Sequence, residues 1–329
     1  MKFNRRSSLA ALAGAALGAA WFPQAYAQAK DYTGPIRILV GFNPGGATDV
    51  VARQIGDKLK DLLSQVVIVE NKPGAGGMIA TQQLKAAPAD GSTVMLTIDH
   101  THLIVPLTFK APGYDPAADF TALAGVANYY NALVVANSLN VKNMAEYGAW
   151  LKAHPGQANY GVGAAGSVAQ FSGQLLGQSL GVKMVAVPYK GGAPLVQDLL
   201  GGQIPAGIVS LTDAIEHHRA GKLRIVAVSG AARAKATPEV PTFTELGLKG
   251  LDKNPWLAFF GPRGMPPEFV DRFTKAVAAV LRQPDMNEKL AKIGNEVLYA
   301  TPEQLQRDWV VSTTRHWAPV VKESGWELQ

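Results

Sequence analysis

Two glycine turns hold the residues whose types and spacing point most directly to chemistry. They are Asn43-Pro44-Gly45-Gly46-Ala47-Thr48-Asp49 and Asn71-Lys72-Pro73-Gly74-Ala75-Gly76-Gly77, and each follows an apolar run and opens a helical pattern. Glycine lets bare backbone N–H groups approach a bound group, and the helix N-terminus behind the turn adds partial positive charge. Two such cradles suggest a carboxylate site. Gly45, Gly46 and Ala47 are the expected donors of the first, with Thr48 as a natural N-cap, and Ala75, Gly76 and Gly77 are those of the second. Asp49 would repel an anion if it faced the site, so it is expected to turn back on its own loop amides. The plain alternative is that both turns are only tight strand-to-helix connections.

Further candidates lie downstream. Asp99-His100-Thr101-His102 follows a strand pattern, so His100 or His102 is placed to line a cleft or to sit in a solvated loop. Tyr189 and Lys190 end another strand run before Gly191-Gly192, either as a clamp for the far end of a ligand or as an ordinary surface turn. His217 and His218 are neighbours, so on a helix they diverge by about 100° and make no same-face metal pair. Residues 161–166 match G-x-G-x-x-G, which makes a secreted nicotinamide-dinucleotide-dependent oxidoreductase the first alternative function; the next strand, however, ends in Tyr189-Lys190 without the acid that holds a ribose. Residues 177–181 match G-x-S-x-G, but Ser179 ends a helical pattern instead of joining a strand to a helix. No acid, base, nucleophile or metal constellation emerges, so a receptor without cofactor is expected over an enzyme.

The elements that must position these residues alternate. Residues 36–42, 66–69 and 93–98 read as strands. Val51, Ile55, Leu59, Leu62 and Leu63 share a helical face, and residues 78–86 read helical. This βαβαβ order predicts a parallel sheet with its ligand-facing loops at the strands' C-terminal ends. An apolar run at 123–136 and a helix at 144–153 lead to a second series, with strands at 159–162, 184–188, 204–210 and 223–229. One more strand, 256–261, precedes amphipathic helices at 269–281 and 302–321, which are expected to pack back on the first sheet. The prediction is a discontinuous two-domain α/β chain that crosses near 126–131 and 229–233 and hinges over a cleft.

Residues 1–27 have a basic start (Lys2, Arg5, Arg6), an apolar stretch and the ending Ala25-Tyr26-Ala27, the pattern of a cleavable export signal. Arg5-Arg6 before Leu9 leaves the general and twin-arginine routes both open. The net charge of +6, from 31 basic and 25 acidic residues, falls to +3 when the leader's three basic residues leave. That is too mild to imply nucleic acid, and no basic run with interleaved aromatics changes it. Hydrophobic residues at 47% and charged ones at 17% fit a folded body. The absence of cysteine excludes disulfides, thiolate metal sites and a cysteine-linked lipid anchor. A periplasmic protein is the simplest expectation.

Several of these stretches together resemble the extracytoplasmic solute receptors of tripartite tricarboxylate transporters, the Bug family. They are Phe42-Asn43-Pro44-Gly45-Gly46-Ala47-Thr48-Asp49 with Arg53, Val69-Glu70-Asn71-Lys72-Pro73-Gly74-Ala75-Gly76-Gly77, Asp90-Gly91, Pro188-Tyr189-Lys190-Gly191, Leu199-Leu200-Gly201-Gly202-Gln203, Gly221-Lys222-Leu223-Arg224, and Pro238-Glu239-Val240-Pro241-Thr242 with Glu245-Leu246-Gly247. The resemblance covers nearly the whole chain beyond the leader. It implies a type II-like periplasmic binding protein fold of two α/β lobes that closes on a small carboxylate and presents it to a membrane permease, acting as a monomer. Lobe I would comprise residues 28–128 with 232–329, and lobe II residues 129–231. In the loop from Gly161 to Gln170 the family often has histidine where Gln170 stands, and an amide cannot become cationic. The expected ligand-binding set is Phe42, Gly45, Gly46, Ala47, Thr48, Asp49, Ala75, Gly76, Gly77, His102, Gly163, Ser167, Gln170, Tyr189, Lys190 and Gly191. Aliphatic, citrate-like and aromatic acids and neutral amides all remain open as ligands. Phe42 and the Tyr129-Tyr130 pair suit either an aromatic acid or core and hinge packing.

Overall fold

The computed structural model describes residues 32–329, so the expected leader and its cleavage after Ala27 lie outside the described residues. The chain begins with β1 (Ile36–Val40), α1 (Ala47–Leu63), β2 (Val67–Asn71), α2 (Met78–Lys85) and β3 (Thr93–Ile98). β1 pairs in parallel with both β2 and β3, as the βαβαβ pattern predicts. Helix α1 is amphipathic, burying Val51, Ala52, Ile55, Leu59 and Leu63, and it stops at Ser64, which adopts a left-handed conformation. Each of its larger apolar side chains stabilises the fold by about 1.5–3 kcal/mol on full burial.

Beyond the short α3 (Val105–Thr108), the apolar run 123–136 is divided between two sheets. β4 (Phe120–Tyr129) belongs to the first and β5 (Asn131–Ala136) to the second, with Tyr130 as the link. The second sheet takes α4 (Met144–Ala153), β6 (Asn159–Val162), α5 (Val168–Leu180), β7 (Val185–Pro188), α6 (Gly192–Leu200), β8 (Ala206–Ser210), α7 (Leu211–Arg219) and β9 (Leu223–Val228) as its strands and covering helices. The chain then returns to the first sheet with β10 (Trp256–Pro262), α8 (Pro267–Leu281), α9 (Pro284–Lys292) and β11 (Asn295–Ala300), and closes with α10 (Pro302–Gln304) and α11 (Val311–Glu323). The strand orders are β11-β4-β10-β3-β1-β2 in six strands and β7-β6-β8-β5-β9 in five. The result is a two-lobed periplasmic binding protein fold.

Two sequence expectations change. Helix α9 and strand β11 were not visible as periodic runs, and β11 forms a sheet edge whose pairing with β4 is irregular. The return crossing also moves. Val240, Phe243, Leu248 and Leu251 still pack in the cores of the second lobe, and the chain reaches the first sheet only at Trp256. The boundary expected at 229–233 therefore shifts to about 252–255. The stretch between has little regular structure, and its apolar side chains, which carry no repeat, hold it to the second lobe.

This architecture positions the site through four strand-to-helix turns. β1 runs into α1, β6 into α5, β7 into α6 and β8 into α7, and all four helices begin at the cleft between the sheets. Crevices at the C-terminal ends of such strands are where α/β proteins bind ligands.

Candidate functional site

The loop before α1 is built around Asp49. Its side chain is almost wholly buried and accepts the Gly45 N–H at 2.9 Å, Arg53 Nε at 3.0 Å and Asn71 Nδ2 at 2.9 Å. Asn71 also donates to the Phe42 carbonyl at 3.1 Å, tying the end of β2 to the end of β1. Burial alone would raise the Asp49 pKa, but hydrogen bonds from Arg53, Gly45 and Asn71 outweigh it and hold the carboxyl below its ordinary range. The expected role of loop organiser is what the geometry shows. The N-cap is Gly46 and not Thr48, which is the second helical residue, two beyond the cap, buried and facing the cleft.

The loop before α5 uses the same plan. Ser167 is the N-cap and its hydroxyl accepts the Gln170 N–H at 3.2 Å, while Gln170 Oε1 accepts the Gly166 N–H at 3.0 Å. Gly45 and Gly166, one residue before each cap, both have positive φ, at 80° and 63°. Gln170 thus braces its own loop and does not line the cleft.

Between the lobes lies a cavity enclosing about 850 Å³ of free space, its mouth included. The first lobe contributes Phe42, Asn43, Gly46, Ala47, Thr48, His100 and Tyr129. The second contributes Asn131, Gly163, Ala164, the starts of α5 and α6, Ser210 and Asp213. First-turn N–H groups of a helix have no intrahelical partner, so four sets of donors and four positive dipole ends converge here. The hydrogen bonds show which are already engaged. Gly45 donates to Asp49, Gly46 donates to the Asn43 carbonyl at 3.3 Å, and Ala47 donates at 3.0 Å to Asp213 Oδ1 from the opposite lobe. The first cradle therefore holds a carboxylate of the chain itself, and none of its three expected donors stands open.

Asp213 is the cavity-lining carboxylate that sequence reasoning missed. It lies in the first turn of α7, and the rule that loops after β-strands face the ligand, applied to the run ending at Ser210, is the signal that points to it. Desolvation pushes its pKa up to about 6, against the lowering effect of the Ala47 N–H. No Lys or Arg side chain joins it at the cavity wall among the described residues. His100 is buried with neither ring nitrogen hydrogen-bonded, and burial brings its pKa down to about 4, so it is neutral. Ser210 Oγ is likewise buried without a partner.

The second glycine turn sits elsewhere. Ala75 and Gly76 line an adjoining chamber with Tyr189, Lys190 and Gly191, which shares Phe42, Gly163, Ala164 and Gly191 with the main cavity. Gly77 is buried and lines neither chamber, and the Gly76 carbonyl accepts the Thr101 hydroxyl at 2.7 Å. Tyr189 donates to Asp198 at 2.8 Å, while the Lys190 carbonyl accepts from Asn43 Nδ2 at 3.0 Å across the cleft. His102 is a clear correction. Its ring stacks on Phe260 at 3.8 Å, beside Phe120 and Trp256, and burial pushes its pKa down to about 3. The chain continues as a helical turn from His100 to Ile104 rather than as a loop, so the two histidines point to different sides. Tyr129 lines the cavity, whereas Tyr130 is core. Ser179 lies inside α5, away from any strand-to-helix elbow, and no metal cluster exists among the described residues.

The fold and cleft define a class, the two-lobed solute-binding receptors. Residues 51–326 match the tripartite tricarboxylate transporter family receptor, and the chain belongs to that family. It is 34% identical over 296 residues to protein BugT of Bordetella pertussis, covering 90% of each chain. Two solved structures are close. The periplasmic binding protein BugD superposes with a TM-score of 0.85 at 32% identity, and R. palustris Rpa4515 with adipate does so with 0.86 at 34%; each covers 90% of this chain and 99% of the other. By that family the chain is a solute-binding receptor and not an enzyme; of residues 161–166, Gly163 and Ala164 lie on the cavity wall. No helix among the described residues is long and apolar enough to cross a membrane.

Proposed function

We propose that this receptor captures a small carboxylate in the interlobe cavity and delivers it to the permease of a tripartite tricarboxylate-type transporter, working as a monomer in the periplasm after loss of residues 1–27. The observation that carries the reading is the convergence of the N-termini of α1, α5, α6 and α7 on one cavity. Such ends attract anions without any cationic side chain. The adipate in the similar R. palustris structure supports a carboxylate ligand. Phe42, Thr48, Gly163, Ser167 and Gly191 form the wall, with Ala75, Gly76, Tyr189 and Lys190 in the outer chamber.

The lobes divide at Tyr130 and at about 252–255, and closure bends the chain there. In the closed form the Ala47–Asp213, Asn43–Lys190 and Asn295–Thr212 hydrogen bonds cross the cleft. Opening breaks them, so ligand affinity and closure are coupled. A thermal-shift screen against mono-, di- and tricarboxylates, aromatic acids, their amides and nicotinamide dinucleotides tests the reading. A ligand at 100 times its dissociation constant adds about 2.7 kcal/mol, a shift of a few degrees. Stabilisation by an acid and not by its amide is the expected result. Stabilisation by a dinucleotide alone would overturn it.

A further inference from the structure

The charge around the cavity is uneven. Asp213 Oδ1 occupies the Ala47 N–H of α1. Its Oδ2 lies against α6, where a Cβ on residue 192 would stand only 2.0 Å away, so glycine alone leaves it room. Three of the four helix N-termini therefore already have a carboxylate of the chain beside them, α1 and α6 across from Asp213 and α7 carrying it in its own first turn. The first turn of α5, at Val168 and Ala169, reaches the same cavity with no acidic side chain in that turn. His100, only 4% exposed, packs against the same cavity with both ring nitrogens unpartnered and covered, Nε2 turned toward Gly76, so it puts no charge beside that turn.

A carboxylate offers about four acceptor positions. Asp213 uses one of them on Ala47, and it keeps some accessible surface where it lines the cavity. A donor, best a cationic one, completes it, whereas a second carboxylate placed against it meets like charge, with no lysine or arginine among the described residues of the wall to offset the repulsion. We propose that Asp213 is the specificity-determining residue of the cleft and selects an amino carboxylate. The ligand's carboxylate sits on the first turn of α5 and its ammonium sits on Asp213. This rests on the receptor reading above and names the substrate class of the same site.

Matched ligand pairs test it by calorimetry on the purified protein at pH 8: β-alanine with succinate, 4-aminobutyrate with glutarate, and 5-aminopentanoate with adipate. Each pair keeps one methylene spacer and exchanges an ammonium for a carboxylate. The expected result is at least tenfold tighter binding of the amino member in the best-fitting pair. Asp213→Asn, which retains an oxygen for Ala47, should weaken that member at least tenfold and strengthen its diacid partner. If Asp213→Asn fails to fold, judged by its melting curve, Asp213→Ala gives the same comparison. Diacids that bind the unaltered protein as tightly as their amino partners, or a preference that survives the substitution, would overturn the proposal and leave the carboxylate receptor standing. If no member of any pair binds and the screen above also finds no acid, both readings fall together.

Discussion

The loops that open α1 and α5 are two versions of one construction. In each, a positive-φ glycine precedes the N-cap, and the third helical residue reaches back to accept that glycine's N–H: Asp49 to Gly45 and Gln170 to Gly166. The first version is charged and anchored, since Asp49 also holds Arg53 and Asn71. The second is neutral and isolated. They differ again at the donors, because the Ala47 N–H is taken by Asp213 whereas the first turn of α5 opens on the cavity with Ser167 as its cap. Similar backbone scaffolds can thus differ at the donors: one is locked by the protein's own carboxylates, and the other keeps its first turn on the cavity wall.

The largest expected effect comes from breaking the charged version. Asp49→Ala removes the acceptor of three donors and leaves the Gly45 N–H without its partner, while half-exposed Arg53 keeps Asn71 Oδ1 at 3.0 Å, so unfolding in urea should show a loss of about 2–3 kcal/mol at pH 7. Because the folded Asp49 pKa is depressed, its contribution is present above the unfolded carboxyl value and disappears as pH falls through the folded one. The difference between the two proteins should therefore shrink as pH falls below the ordinary carboxyl range and through the folded value. A difference that stays constant throughout that descent would show that packing, and not charge, holds the loop.

Asp213 has the opposite sign. Its folded pKa of about 6 lies above the ordinary value, so its folded form is favoured below about pH 4 and that advantage is lost as pH rises through 6. Asp213→Asn should stabilise the unliganded protein by about 1–2 kcal/mol at pH 7, after discounting for partial exposure, and by nothing near pH 3.5. Tyr129, which faces the same cavity, stays neutral across this range; His100, brought down to about 4, takes up a proton only at the acid end, and the buried Asp99, pushed up to about 7, titrates in both proteins alike. Melting temperatures of the two proteins from pH 3.5 to 8 are the check; a difference that does not grow with pH would refute the assignment.

The smallest effect should follow from Gln170→Ala. It removes one neutral hydrogen bond to Gly166, a cost of about 1 kcal/mol in the same urea measurement. A loss as large as that of Asp49→Ala would mean that charge is not what separates the two loops.

Much of the scaffold was legible in the chain. Strand β3, helix α4 and strand β6 fall where apolar periodicity and turn residues place them, and Asp49 braces its loop as its charge requires. The run 123–136 shows the limit, because a continuous apolar stretch contains nothing that distinguishes one sheet from two. His100 and His102 show it again, since the helical turn that separates them depends on the aromatic cluster packed around the second.

The sequence by itself determined the glycine turns, the alternation of strands and helices, and the cleft-facing position of the loops between them, because each depends on dihedral preferences and periodicities within a few residues. Only the tertiary structure decided which backbone donors are free. Ala47 and Asp213 stand 166 residues apart and meet because two lobes close on each other, and a buried N–H takes whichever acceptor the fold brings within 3 Å of it.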